Sequence, residues 1–302
     1  MKKMRLHIYM VIAIFVIGFI VGSFLDYQIN SAIFSNKNVF GLILSVIGTI
    51  PGYGMFGVLG GGCLAIALKK QYNKIVNIFL IGAYVVFVGL GIYFSGREFF
   101  GPNGFTNESI KFVGYLIMLP VILALGYLGY FLFKNSDKKY LLPLVIVLSV
   151  AIFIALIPGV TILKSTFNRP RYRSIVLYED AGLKFHHWWE PCKNYKDYME
   201  SFSLIKEEFK SFPSGHAGAS FVFALVVSFL PRVNMKYEKL SLILFYVGLG
   251  WTLLISFSRL LVGAHFLSDV SMGGLITSIC LLAANEVVIG LKMFKEEEQQ
   301  LE

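Results

Sequence analysis

The chain has 302 residues, 56% of them hydrophobic and 15% charged, with a mean hydropathy of +0.70. A soluble domain of this length is more polar, so a soluble globular class is excluded. The net charge of +9 does not call for nucleic acid, because much of it sits in short segments between apolar runs.

Several apolar stretches run for 17 residues or more, long enough to cross a hydrocarbon core as helices. They are continuous and do not alternate, which argues against a barrel. The expectation is an all-α polytopic membrane helix bundle of about eight spans, one unit over residues 1–302. Cys63, Cys192 and Cys280 imply no disulfide framework, since two of them lie in apolar segments.

A basic start, Met1–Arg5, precedes the first predicted span at 8–24. Val21-Gly22-Ser23 offers a signal-peptide cleavage reading, although the apolar run is longer than a usual signal core. Residues 39–68 are apolar but broken at Gly48–Gly52, where Pro51 ends or kinks a helix. The second span is therefore expected from about Pro51, with 39–49 as a lead-in packed on the bundle. The run Gly57–Gly62 permits close helix approach; with no strand before it, it makes a poor phosphate loop. Spans three to five are expected at 75–94, 113–133 and 140–163, with a polar turn around Pro102–Gly104. The one long polar segment, 164–212, follows, and then spans six to eight at 216–230, 240–258 and 264–292. The tail from Lys295 is polar.

With the N-terminus inside, the connectors 69–74, 134–139 and 231–239 are cytoplasmic and rich in Lys or Arg, as the positive-inside rule asks. Both termini are then cytoplasmic, and 25–38, 95–112, 164–212 and 259–264 face outward. The basic residues of 164–212 run against the rule, which suggests another task for some of them.

Polar clusters fall at outer helix ends. One is Lys164-Ser-Thr-Phe-Asn-Arg169-Pro170-Arg171-Tyr172, a second Ser211-Phe-Pro213-Ser214-Gly215-His216, and a third Ser258-Arg259 followed by His265 and Asp269. Spaced four apart, His265 and Asp269 would share a helix face, the carboxylate fixing one ring nitrogen and freeing the other to attack. Arg259 can fork onto a phosphate or carboxylate. Ser214 and Gly215 sit where a helix begins, so their backbone N–H groups can point at an anion. This inventory suits phosphoryl transfer, with cations on the equatorial oxygens, one histidine attacking and another protonating the leaving oxygen. No carboxylate cluster is present for a two-metal site, so neither a metal nor another cofactor is expected. His186-His187-Trp188-Trp189 reads as an interfacial aromatic anchor, and Asn285 and Glu286 as helix-interior polar contacts.

The clusters resemble the type 2 phosphatidic acid phosphatase superfamily, which includes lipid phosphatases and is related to vanadium haloperoxidases. Its pattern is K-x6-RP, PSGH and SR-x5-H-x3-D. Pro213-Ser214-Gly215-His216 matches the second motif in full, and Ser258-Arg259, His265 and Asp269 the third. The first aligns Lys164 with Arg171, although Tyr172 replaces the proline; a register on Arg169-Pro170 restores the dipeptide and breaks the lysine spacing. The resemblance covers roughly residues 164–269. It implies a six-helix phosphatase core, an extracytoplasmic pocket, a phosphohistidine intermediate and a lipid phosphate or diphosphate substrate, with two spans here extra. A lipid phosphotransferase would use the same residues. A catalytically silent lipid-binding or transport protein is the reading from another class, and intact His216, His265 and Asp269 argue against it.

Overall fold

The computed structural model describes residues 2–99, 111–136, 138 and 140–291. Among these no strand forms, and eight helical segments are long and apolar enough to cross a membrane. The expected turn at Pro102–Gly104 and the tail from Lys295 lie outside the described residues.

Helix α1 (Lys2–Ile33) continues nine residues past the span end expected at residue 24. Its last turns are polar, yet they do not fray, because Asp26 and Asn30 are buried and have partners. The Asn30 amide donates to the carbonyls of His265 at 3.1 Å and Leu260 at 3.4 Å. A helix can carry such groups when neighbouring elements satisfy them. Along its length α1 packs on the last helix of the chain, α13 (Leu267–Gly290).

The lead-in expected at 39–49 is a separate short helix, α2 (Val39–Ile47). Asn38 caps it, its side chain accepting from the Gly41 N–H at 2.9 Å. Gly48 and Thr49 break the run, and α3 (Ile50–Leu68) starts with Pro51 in its first turn, where a missing N–H costs nothing. Next come α4 (Lys74–Arg97), capped by Asn73, and α5 (Lys111–Lys134). Helices α3, α4 and α5 pack together. A Cβ on Gly61 would lie 1.8 Å from the Gly126 carbonyl oxygen, so α3 and α5 meet backbone to backbone.

Helix α6 (Leu141–Leu156) widens into a π-helical turn, Ile157–Ile162, before α7 (Leu163–Phe167). Pro158 offers no N–H to the ladder, and the wider turn accommodates it without ending the helix. Lys164 follows directly. The polar segment after it is folded, with α8 (Tyr172–Leu177) and α9 (Tyr195–Phe202) packed around Ala181, Leu183, Cys192, Leu204 and Phe209. Arg173 forks onto Glu208, Nε to Oε2 at 3.0 Å and Nη2 to Oε1 at 2.6 Å, and Ser174 Oγ adds a donor at 2.5 Å. Burial alone would raise the Glu208 pKa; Arg173 and Arg171 outweigh it and hold the carboxyl below its ordinary value. Part of the basic charge that breaks the positive-inside rule is thus neutralised within the segment.

Helices α10 (Gly215–Val227), α11 (Leu230–Val233) and α12 (Glu238–Leu261) complete the set. The eighth span was expected from residue 264, but α13 begins at Leu267, so Val262–Phe266 form the turn joining α12 to it. Gly263 has φ +61°, and a Cβ there would come within 2.9 Å of the Arg173 nitrogen. Glycine is needed on both counts.

The segment expected as an aromatic anchor is packed on the bundle. Trp188 Nε1 donates to Ser23 Oγ at 2.9 Å and its ring stacks on Phe212, while His187 stacks on Trp189. No group of His, Cys, Asp and Glu suited to a metal ion occurs among the described residues. Near the far end of the bundle Glu286 pairs with Arg5 of α1.

Candidate active site

Chain alternation brings the C-terminal ends of α1, α4, α7 and α12 to the same end of the bundle as the N-terminal ends of α2, α10 and α13. The polar clusters lie there, and the expected site residues come together at this end. Asp269 occupies the first turn of α13, where it accepts from the Phe266 N–H at 2.8 Å and from Ser211 Oγ at 2.5 Å. An acidic residue is well placed at a helix N-terminus.

His265 precedes α13, so it and Asp269 do not stack along one helical face as their spacing suggests. The His265 ring is 1% exposed; its Nδ1 donates to the Ser211 carbonyl at 2.6 Å and stands 3.8 Å from Asp269 Oδ2. The carboxylate is therefore at ion-pair distance, and the direct hydrogen bond goes to Ser211. A carbonyl can only accept, so Nδ1 carries the proton and Nε2 keeps its lone pair. Burial is the main cause that pushes the His265 pKa down to about 3; Asp269 opposes it, and Lys164 and Arg171 reinforce it. A neutral ring held this way keeps a lone pair that is free to attack.

Arg169 and Arg171 separate cleanly. Arg169 is fully buried, with Nη1 on Asp269 at 2.6 Å and Ser268 at 3.0 Å, Nη2 on Asp26 at 2.9 Å, and Nε on the His186 carbonyl at 2.8 Å. Its guanidinium also lies 4.2 Å from the centre of the Phe266 ring. Four of its five N–H donors are thus committed to protein. Arg171 is fixed by the carbonyls of Glu207 at 2.8 Å, through Nε, and Ala264 at 3.2 Å, through Nη1. Lys164 Nζ bonds the Lys210 carbonyl at 2.9 Å, using one of three donors.

Arg259 is fully buried at the end of α12. Its Nη2 donates to the Gly41 carbonyl of α2 and its Nε to Ser258 Oγ, while Nη1 has no partner among the described residues. A buried guanidinium nitrogen without an acceptor is costly and marks a place for an anion. His216, in the first turn of α10, donates from Nε2 to the Ser45 carbonyl of α2 at 3.0 Å. The His216 and His265 ring centres are 6.4 Å apart.

One expectation about the α10 N-terminus needs correction. The Ser214 N–H already donates to the Asp269 carbonyl at 2.9 Å, and Ser214 Oγ caps the helix by accepting from Ala217 N–H at 3.3 Å. Because the clusters interlock, this donor is consumed in joining α10 to α13. The Gly215 N–H next to it, in the first turn, has no intrahelical partner.

Residues 139–290, half of the chain, match the PAP2 superfamily. The chain belongs to the PAP2 superfamily. Membership implies an activity of the lipid phosphatase type in a multi-pass membrane protein. The chain matches no curated protein and no solved structure. The PAP2 match starts at residue 139, so α1–α5 lie before it, yet Asp26, Gly41, Ser45 and Glu98 reach the site from there.

Asp26 and Glu98 were not anticipated as site residues. A signal for Asp26 exists, as it is a lone carboxylate following an apolar run, but ending the first span at residue 24 hid it. Glu98 sits in a polar stretch where a carboxylate draws no notice.

Proposed function

We propose that this protein hydrolyses a phosphomonoester or diphosphate of a lipid through a phosphohistidine, at the outer face of the membrane. The observation that carries the reading is the pair of facing histidines beside Arg259, whose buried Nη1 lacks an acceptor. A phosphoryl group between the rings would supply that acceptor.

In the first step the His265 Nε2 lone pair attacks phosphorus, and the bond to the leaving oxygen breaks as His216 gives that oxygen a proton. Lys164, Arg171 and Arg259 hold the phosphoryl oxygens, with the Gly215 N–H. Asp269 acts on His265 in two ways. Its charge favours the imidazolium character that develops on attack. Through Ser211, whose hydroxyl it holds and whose carbonyl holds Nδ1, it sets the ring's orientation. Water then attacks the phosphohistidine, His216 takes its proton, and phosphate leaves with His265 restored. Three fixed cations supply the charge stabilisation at phosphorus, so no metal is required by this mechanism, and vanadate should inhibit as a trigonal mimic of the transferring group.

A lipid substrate is supported by the position of the pocket at the end of a membrane bundle. Beside it, α2 exposes Val39, Phe40, Leu42 and Ile43 while its other side meets Arg259 and His216. An acyl or prenyl chain can lie along such a face while its phosphate reaches the cations.

Single-turnover kinetics test the two histidines separately. His265→Ala should leave neither phosphoenzyme nor turnover above background. His216→Ala should cost on the order of 10²–10⁴ with an alkyl phosphate, as loss of a general acid does. Its burst of p-nitrophenol from p-nitrophenyl phosphate should suffer much less, because that leaving group needs little protonation. A normal burst in His265→Ala would refute the mechanism, and equal losses for both leaving groups in His216→Ala would remove it as the acid.

A further inference from the structure

Helix α4 ends outside the matched core, and the residue just after it, Glu98, points a carboxylate at the site. Its Oε2 is 3.5 Å from His216 Nε2, while Arg97 Nε donates to Oε1 at 3.3 Å. Both side chains of the Glu98–His216 contact are largely buried, at 16% and 14% exposure. On the same nitrogen the Ser45 carbonyl accepts at 3.0 Å. Two acceptors therefore converge on His216 Nε2, one of them charged.

We propose that Glu98 is a positioning residue for His216, holding the proton-carrying ring in place and stabilising its charged form for delivery of a proton to the leaving oxygen. The inference rests on the phosphatase reading above and adds to it a residue from the part of the chain outside the matched segment.

The surroundings fit this role better than a purely structural one. The groups acting on His216 are Glu98 from α4, Arg259 from α12, Lys164 from α7, His265 from the α12–α13 turn and the Ser45 carbonyl from α2. Arg259 and Lys164 are cations, so both disfavour an imidazolium here. Glu98 is the carboxylate in contact that favours it. Glu98 in turn faces Arg97, Arg259, Lys164 and Tyr53. Burial raises its pKa, with Arg97 and then Arg259 and Lys164 opposing. A carboxylate placed only to fill the cation pocket would compete with the substrate phosphate instead, and its removal would tighten binding.

The test uses the full-length protein in detergent, with short-chain phosphatidic acid as the alkoxide-leaving substrate and p-nitrophenyl phosphate as the other. Glu98→Gln removes the charge and keeps the shape. Its kcat on phosphatidic acid should fall about tenfold, a part of the general-acid contribution. KM should change by less than about twofold. Loss of the carboxylate makes the imidazolium easier to deprotonate, so the alkaline limb of the kcat profile should move to lower pH by about one unit. The p-nitrophenol burst rate should be near that of the unmodified protein, and Glu98→Asp should recover part of the kcat. An unmoved alkaline limb, an equal loss with both substrates, or a lower KM with unchanged kcat would each overturn the proposal. His265→Ala in the same assays separates this from the parent reading: if it still turns over, the phosphatase mechanism fails; if it is inactive while Glu98→Gln is normal, only the role of Glu98 fails.

Discussion

Arg169 commits every guanidinium nitrogen to protein, bridging Asp26 of α1 and Asp269 of α13. Two positions on, Arg171 is held by two carbonyls through Nε and Nη1. Charge bookkeeping makes the difference testable. Arg169→Ala would leave two buried carboxylates near one another without a cation, a change that costs about 3–5 kcal/mol. Its thermal midpoint should drop sharply. Arg171→Ala removes a cation from the wall of a pocket that keeps Lys164 and Arg259. The protein should stay folded with a near-normal midpoint, while kcat/KM falls by about 10²-fold, the scale of one lost transition-state donor. Melting curves and kcat/KM on both variants decide it; a stable, inactive Arg169→Ala beside an active Arg171→Ala would reverse the two roles.

At the scale of elements the site depends on how closely α13 approaches the start of α10. A Cβ on Gly273 would lie 2.2 Å from the Ser214 carbonyl oxygen, and the Ser214 N–H is itself bonded to the Asp269 carbonyl. One helix thus sets the position of the other's first turn, and with it Gly215 and His216. Gly273→Ala should push these turns apart, costing about 1–3 kcal/mol of stability as overpacking does. Because catalysis is sensitive to displacements of about 1 Å, kcat should fall further than stability alone explains, by about tenfold or more. Gly250→Ala in α12 is the matched control, since nothing lies within 4 Å of a Cβ there. It should leave activity unchanged, and its stability should shift by no more than about 1 kcal/mol, the scale of glycine against alanine in a helix. Similar losses in both variants would mean that helix propensity, and not the contact with Ser214, is being measured.

For the molecule as a whole, the segment before residue 139 is part of the site's support. Helix α1 supplies Asp26, α2 the carbonyls of Gly41 and Ser45, and the end of α4 Glu98. These groups satisfy Arg169, Arg259 and His216, buried polar side chains that would otherwise lack partners. The charge of the connectors predicts an orientation for the whole bundle, with the basic connectors inside. Exposed Tyr178 belongs to the polar segment on the pocket side, and exposed Asn135 to a basic connector at the other end. With Cys192 removed, a cysteine at Tyr178 should react with an impermeant thiol reagent in intact cells, and one at Asn135 should not. The opposite pattern would put the pocket in the cytoplasm and exclude an external lipid substrate.

Membrane class, the number of spans and the polar clusters at the helix ends are legible in the chain itself, because each rests on local chemistry. An apolar run of sufficient length must be helical in lipid, and Ser258-Arg259, His265 and Asp269 carry their spacing with them. The break at Pro51 is legible for the same reason. What the spacing misjudges is how those residues meet. His265 and Asp269 suggest a shared helix face, but the turn at Gly263 carries His265 off the helix, and its partner becomes a carbonyl 54 positions away. The choice between Arg169 and Arg171 likewise turns on Asp26, 143 positions from Arg169, and the burial of Glu98 beside His216 on the docking of α4. Hydrogen bonds of this range depend on helix packing, which no local pattern encodes; the sequence by itself determined which polar groups stand at the helix ends, and only the tertiary structure decided which of them bond to one another.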